Sequence, residues 1–175
     1  MDKRLFFLVL CIIVSFQLIA QDTDINKYVQ NQQKKLVYNT EKLVHIPNTQ
    51  VKIMPPPHFE LDTNINGFVH SGSASTIQII EVPEVSYISI DKSMTPEHIK
   101  SQNYTLIERK EVILETGSNA VIYFVSFNAD GVDFERAMLF TGEENTIWVN
   151  FNYPVSMKKL LYPAIESSLL SVQAL

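Results

Sequence analysis

The stretch from Ala120 to Tyr153 restricts the fold more than any other part of the chain. Three apolar segments, Ala120 to Phe127, Val132 to Thr141 and Ile147 to Tyr153, are separated by two short polar breaks. The first break, Asn128-Ala129-Asp130-Gly131, carries the Asp-Gly pair that supplies the positive φ values of a tight hairpin. The second runs from Gly142 to Asn145. In the middle segment Val132, Phe134, Met138 and Phe140 alternate with Asp133 and Glu135. In the last, Ile147, Val149, Phe151 and Tyr153 alternate with Trp148, Asn150 and Asn152. A period of two marks strands, and strands linked this closely form an antiparallel meander. Ala120 to Phe127 is apolar on both faces, which predicts the centre of a sheet covered on both sides.

The flanking sequence extends this pattern. Short strands are expected over Leu43 to Ile46 and Gln50 to Met54, with a turn at Pro47-Asn48-Thr49. Pro55-Pro56-Pro57 cannot donate to a central ladder and belongs at an edge or a surface bridge. Phe59, Leu61 and Phe68 are apolar around an Asn64 to Gly67 turn, and Ser71-Gly72-Ser73 breaks the chain again. Thr76 to Val82 is a strong strand that ends at Pro83. Thr95 caps a short helix to about Gln102, with Pro96 and Glu97 in its first turn. Tyr104 to Glu115 is a strand with Glu108-Arg109-Lys110-Glu111 at its middle. A final helix starts near Ser156. Leu161, Ile165, Leu169 and Val172 form its apolar stripe, and Pro163 is expected to kink or restart it. The fold class is α+β, a mostly antiparallel sheet of about six strands flanked by helices, with one domain over residues 43–175.

Met1 to Ala20 has the design of an export signal. Lys3 and Arg4 precede an apolar run of about 15 residues, shorter than the roughly 20 that span a bilayer. Cleavage is expected after Ala20, placing the mature domain in the periplasm or outside the cell. The other reading is an uncleaved anchor. Cys11, the chain's one cysteine, has Leu10 before it and too short an apolar run for a lipidation site. If it leaves with the signal, disulfides, cysteine nucleophiles and thiolate metal sites leave too. Residues 21–42 are a polar N-terminal segment in which Ile25, Tyr28, Val29, Gln32 and Leu36 allow a loose amphipathic helix. The net charge of −5 becomes one unit more negative after cleavage. With no basic stripe, nucleic acid and anionic lipid are poor partners.

The chain resembles the PsbP-like α/β/α sandwich, a superfamily containing photosystem PsbP proteins, the periplasmic DcrB lipoprotein and exported bacterial domains. The matching residues are Ile46-Pro47 through Met54-Pro55-Pro56, Phe59, Gly67-Phe68, Gly142, Tyr153-Pro154 and Ser167-Ser168-Leu169-Leu170-Ser171. The resemblance covers roughly residues 43–173. It implies a non-enzymatic helper that binds a protein partner or stabilises an assembly. It carries no set of catalytic residues.

Chemical motifs are sparse. Asp62-Thr63-Asn64-Ile65-Asn66-Gly67 begins like a calcium loop, but Ser73 stands where the bidentate glutamate is needed. It reads as an Asn-rich turn. His45, His58, His70 and His98 share no metal-ligand spacing and read as scattered surface residues. His58 stands out because three prolines hold it. There is no Gly-x-Ser-x-Gly elbow, so a hydrolase on Ser73 or Ser75 would need its histidine and acid from elsewhere. Glu143 and Glu144 read as solvated turn acids. Arg136 falls on the apolar face between Phe134 and Met138, where a buried guanidinium is costly unless paired. It must reach the sheet edge, meet a carboxylate or line a polar pocket. Trp148, on the polar-leaning face with Asn150 and Asn152, is either an exposed binding residue or covered by a helix. His58, Arg136 and Trp148 are the candidate binding residues. No catalytic, cofactor-binding or metal-binding residues are assigned. The expected function is a non-catalytic envelope domain that binds a protein partner. The alternatives are a binder of a small apolar or lipid ligand, and an envelope hydrolase.

Overall fold

Both predicted hairpins form. In the computed structural model, which describes residues 37–175, the meander consists of β7 (Asn119–Ala129), β8 (Val132–Thr141) and β9 (Thr146–Pro154). Asp130 and Gly131 take φ values of 51° and 81° at the first turn, the two positive angles that match strand twist. Gly142 opens the second turn with φ 104°, and a Cβ there would lie 2.1 Å from the Asn145 carbonyl oxygen. The export signal expected over residues 1–20 lies outside the described residues. So do residues 21–36 of the segment 21–42 whose sequence allows a loose helix; of the rest, 37–39 are irregular and Thr40–Lys42 form a 3-10 turn. Lys35–Leu175 is one compact unit.

Four more strands complete the main sheet: β3 (Glu60–Asp62), β4 (Gly67–His70), β5 (Ser75–Val82) and β6 (Thr105–Ile113). Their order is β3-β4-β5-β9-β8-β7-β6, antiparallel throughout. β1 (Val44–His45), β2 (Val51–Ile53) and β10 (Gln173–Ala174) form a separate three-stranded sheet. Seven strands in one sheet and three in another replace the expected six. The chain leaves β5, crosses the sheet as two short helices, re-enters at the far edge as β6, and returns strand by strand to pair β9 with β5.

That route corrects the expected sheet centre. β9 is the middle strand, and β7 lies next to the edge strand β6. β7 is apolar on both faces because it is covered on both sides. Val121, Tyr123 and Val125 pack with Met138, Phe140 and Ile99. Ala120, Ile122 and Phe124 point the other way, into the larger core with Phe151, Tyr153, Leu161, Ile165 and Leu169. Each fully buried Val, Ile, Leu, Phe or Met among them contributes about 1.5–3 kcal/mol.

One helical layer is α1 (Tyr87–Ser93) and α2 (Pro96–Ser101). Thr95 caps α2 as expected, its Oγ1 accepting from the His98 amide at 3.2 Å. α1 is an additional helix, capped by Ser86. The opposite layer is the small sheet together with α3 (Lys158–Leu170), entered through a 3-10 turn at Val155–Met157. α3 runs on through Pro163 without restarting. The missing amide is offset by the burial of Leu161, Ile165 and Leu169. Gly67 lets β4 approach β5 closely, since a Cβ there would lie 1.8 Å from the Ile77 carbonyl oxygen.

Candidate functional site

α1 and α2 pack over β6, β7 and β8. Beyond them, on the same face, antiparallel register assembles rows across β5, β9 and β8. Thr76, Asn152 and Arg136 form one row, Gln78, Asn150 and Met138 the next, and Ile80, Trp148 and Phe140 the third. The result is a polar strip beside the apolar cluster that α1 and α2 cover.

Arg136 anchors one end of the strip. β8 is an interior strand, so no sheet edge is within reach, and among the described residues no carboxylate lies within ion-pair distance. The fold instead surrounds it with neutral acceptors and rings. Arg136 Nε donates to Asn152 Oδ1 at 2.5 Å, and Nη1 donates to the Tyr104 hydroxyl. Its guanidinium carbon lies 5.2 Å from the centre of the Tyr104 ring and 5.1 Å from that of Phe127. Each such contact contributes about 0.5–2 kcal/mol. Asn152 is itself held, donating from Nδ2 to Thr76 Oγ1 at 3.0 Å. Tyr104 meets Phe127 edge-on at 5.5 Å, and Phe127 stacks on Phe134.

Trp148 marks the other end of the strip, four residues along β9 from Asn152 and so about 13 Å away. It is half-buried beside the α1–α2 core and tilted against Phe140 at 5.4 Å. It is thus neither the fully exposed anchor nor the fully covered core residue considered from sequence. Its indole Nε1 is buried without a hydrogen-bond partner. Asn150 in the adjacent row is 4% exposed, and its Oδ1 is likewise unpartnered.

His58 does not join the strip. It is exposed, holds a left-handed backbone at φ 66°, and its ring meets that of His70 edge-on at 6.4 Å. His70 also packs on Phe59 at 5.3 Å, in the core on the opposite face of the sheet, and its Nδ1 is buried without a partner. The histidines are therefore not all scattered, because the β3–β4 hairpin brings two of them together. His45 Nε2 bonds the Thr49 carbonyl at 2.8 Å. Among the described residues no three His, Cys, Asp or Glu side chains gather around a metal-sized space. Ser73 and Ser75 are buried and hydroxyl-bonded to each other at 2.9 Å. Asp62 Oδ1 accepts from the backbone and side-chain nitrogens of Asn64, the turn expected there.

Two further polar clusters were not singled out from sequence. Asp91 on α1 takes a bidentate bond from Arg109 (2.9 and 2.7 Å) and a 2.5 Å bond from the Tyr123 hydroxyl. The Arg109 guanidinium holds the Asp91 carboxyl below its usual range, against the opposing effect of burial. Glu135 is 6% exposed and accepts from the Tyr153 hydroxyl at 2.6 Å and Lys158 Nζ at 2.8 Å. Burial first, and the adjacent Glu135 second, push the Tyr153 phenol far above its usual range. An open cleft of about 450 Å³ at one end of the sheet is lined by residues including Tyr87, Leu114, Gly142, Ile147 and Val172, with no histidine among them.

The chain has a PsbP-like fold, as its likeness to solved structures shows. It is similar to the crystal structure of LpqN, involved in cell envelope biogenesis of Mycobacterium tuberculosis. The TM-score is 0.56 at 13% identity, over 75% of this chain and 88% of that one. It is also similar to the solution structure of cyanobacterial PsbP (CyanoP) from Synechocystis sp. PCC 6803. There the TM-score is 0.50 at 10% identity, over 79% of this chain and 91% of that one. No family model and no curated protein matches the chain.

Proposed function

We propose that the chain is an exported, non-catalytic domain that binds a protein partner in the cell envelope through the strip between Arg136 and Trp148. The observation that carries this reading is Arg136. A half-buried cation held by neutral groups on an interior strand has a cost that a purely structural core position would avoid. The envelope setting rests on the signal-like first 20 residues and on the fold shared with LpqN, described as involved in cell envelope biogenesis. The non-catalytic reading rests on the mutual bonding and burial of Ser73 and Ser75.

Site-specific photo-cross-linking in the native cell tests the partner. A photoreactive residue at Gln78, exposed within the strip, is expected to trap one protein. The same residue at Ile113, exposed on β6, is expected to trap none. Equal trapping at both positions, or none at Gln78, sinks the assignment to this face. Mass spectrometry of the mature chain is expected to find Gln21 at its N-terminus. Finding Met1 would place the domain on a retained anchor.

A further inference from the structure

We infer that Arg136 is the receptor for a carboxylate, supplied by an acidic side chain of the partner polypeptide. This rests on the partner-binding reading above and names the chemistry that the partner must bring. A guanidinium carries five N–H donors. Asn152 and Tyr104 take one each, from Nε and Nη1. The second N–H of Nη1 and both of Nη2 have no acceptor among the described residues. Arg136 Nη2 has no partner and is not buried, so its two donors open onto the surface of the strip. They can bond a carboxylate in the charge-assisted way that makes Arg–carboxylate bonds strong.

The surroundings favour a carboxylate over a phosphate. Arg136 stands as a single cation in its row, beside the neutral Asn152 and Thr76. Arg109, on the same face at β6, is engaged with Asp91. A monoanion matches one guanidinium, whereas a dianion would be left half-compensated, and the chain's net charge of −5 opposes it further. The site is also built in advance. The Thr76–Asn152–Arg136–Tyr104 chain of hydrogen bonds and the Phe127 ring fix the guanidinium before a ligand arrives, which lowers the ordering cost of binding.

The test titrates the purified full chain with three capped peptides and reads the Arg136 Nε–H signal by 15N NMR. Acetyl-Gly-Glu-Gly-amide carries only a side-chain carboxylate, acetyl-Gly-Gln-Gly-amide carries none, and acetyl-Gly-Gly-Gly carries only a terminal one. The glutamate peptide is expected to move the signal saturably and the glutamine peptide to leave it unmoved. Read on the Trp148 indole signal, Arg136→Gln is expected to weaken glutamate-peptide binding by at least about tenfold, and Arg136→Lys by less. Equal responses to the glutamate and glutamine peptides overturn the proposal, as does undiminished binding by a folded R136Q. A response confined to the terminal carboxylate overturns the side-chain source, and tighter binding of inorganic phosphate overturns the choice of anion. Phe127→Leu, which keeps the charge but removes a flanking ring, provides a second variant should R136Q fail to fold, and its expected effect is a several-fold loss. A partner trapped at Gln78 equally by wild type and R136Q would leave the functional reading standing while this inference falls. Peptide binding with no trapped partner would do the reverse.

Discussion

Glu135 illustrates how one residue's role is set by what lies opposite it. Its alternation with Phe134 and Arg136 reads as a solvent-facing position, and Asp133 two residues earlier is indeed exposed. The start of α3 covers Glu135, and Tyr153 and Lys158 close on its two oxygens. Lys158 is 42% exposed, so that ion pair contributes little. The buried phenol–carboxylate bond contributes more. Glu135→Ala is expected to cost about 2–3 kcal/mol in chemical denaturation, because it strands the Tyr153 hydroxyl. Tyr153 also gives a pH signature. In the unfolded chain its phenol ionises near the ordinary value of 10.0, whereas the fold holds it protonated well beyond that. The stability it confers is present below pH 10 and declines as pH rises towards the folded value. Urea midpoints from pH 8 to 11 are expected to fall more steeply for wild type than for Tyr153→Phe. Equal slopes would show that Tyr153 does not govern the alkaline limb. Arg136 was legible in the same alternation as the one cation on an apolar face. Its partners were not, since Asn152 and Tyr104 lie 16 and 32 residues away and meet it only through strand pairing.

Among the elements, α1 is the one the sequence concealed. Tyr87-Ile88-Ser89-Ile90 alternates like a strand and is rich in residues that favour one. The crossover from β5 to β6 must nevertheless span the sheet face, and Ser86 supplies a cap. No residue of α1 is fully buried, so its docking depends heavily on Asp91 bonded to Arg109 and Tyr123. Asp91→Asn is expected to loosen α1 by about 1 kcal/mol, a value tempered by the exposure of Arg109. Hydrogen exchange of the 87–93 amides is expected to quicken severalfold, while that of β7 and β8 holds steady. The wild-type contribution persists above the usual carboxyl value of 3.8 and is lost as pH falls through the lower folded value. Gly67→Ala tests a second contact at this scale. Its methyl group would meet the Ile77 carbonyl, so the β3–β4 hairpin should detach at a cost of about 3 kcal/mol. Unchanged stability would mean that β4 can shift away from β5 without penalty.

For the whole molecule, the exposed edge of β6 is the main liability. Nine residues of strand present Leu106, Ile107 and Ile113 to solvent. The bulge at Leu106/Glu108 and the Glu108-Arg109-Lys110-Glu111 run guard that edge against pairing with another chain. Replacing both Glu108 and Glu111 by Val is expected to produce concentration-dependent association by light scattering, and a monodisperse double variant would refute that role. The sequence by itself determined the three meander strands, their turns, the Thr95 cap and the Leu161, Ile165 and Leu169 stripe of α3. Those signals are local, since side-chain period and turn chemistry act within a few residues. Only the tertiary structure decided that β9 is the central strand, that α1 exists, that His58 meets His70, and that Arg136 faces a row of neutral acceptors. Each of those outcomes depends on which strand lies beside which. That is set by the crossover from β5 to the far edge and the pairing of β9 back onto β5, both contacts between residues distant in the chain.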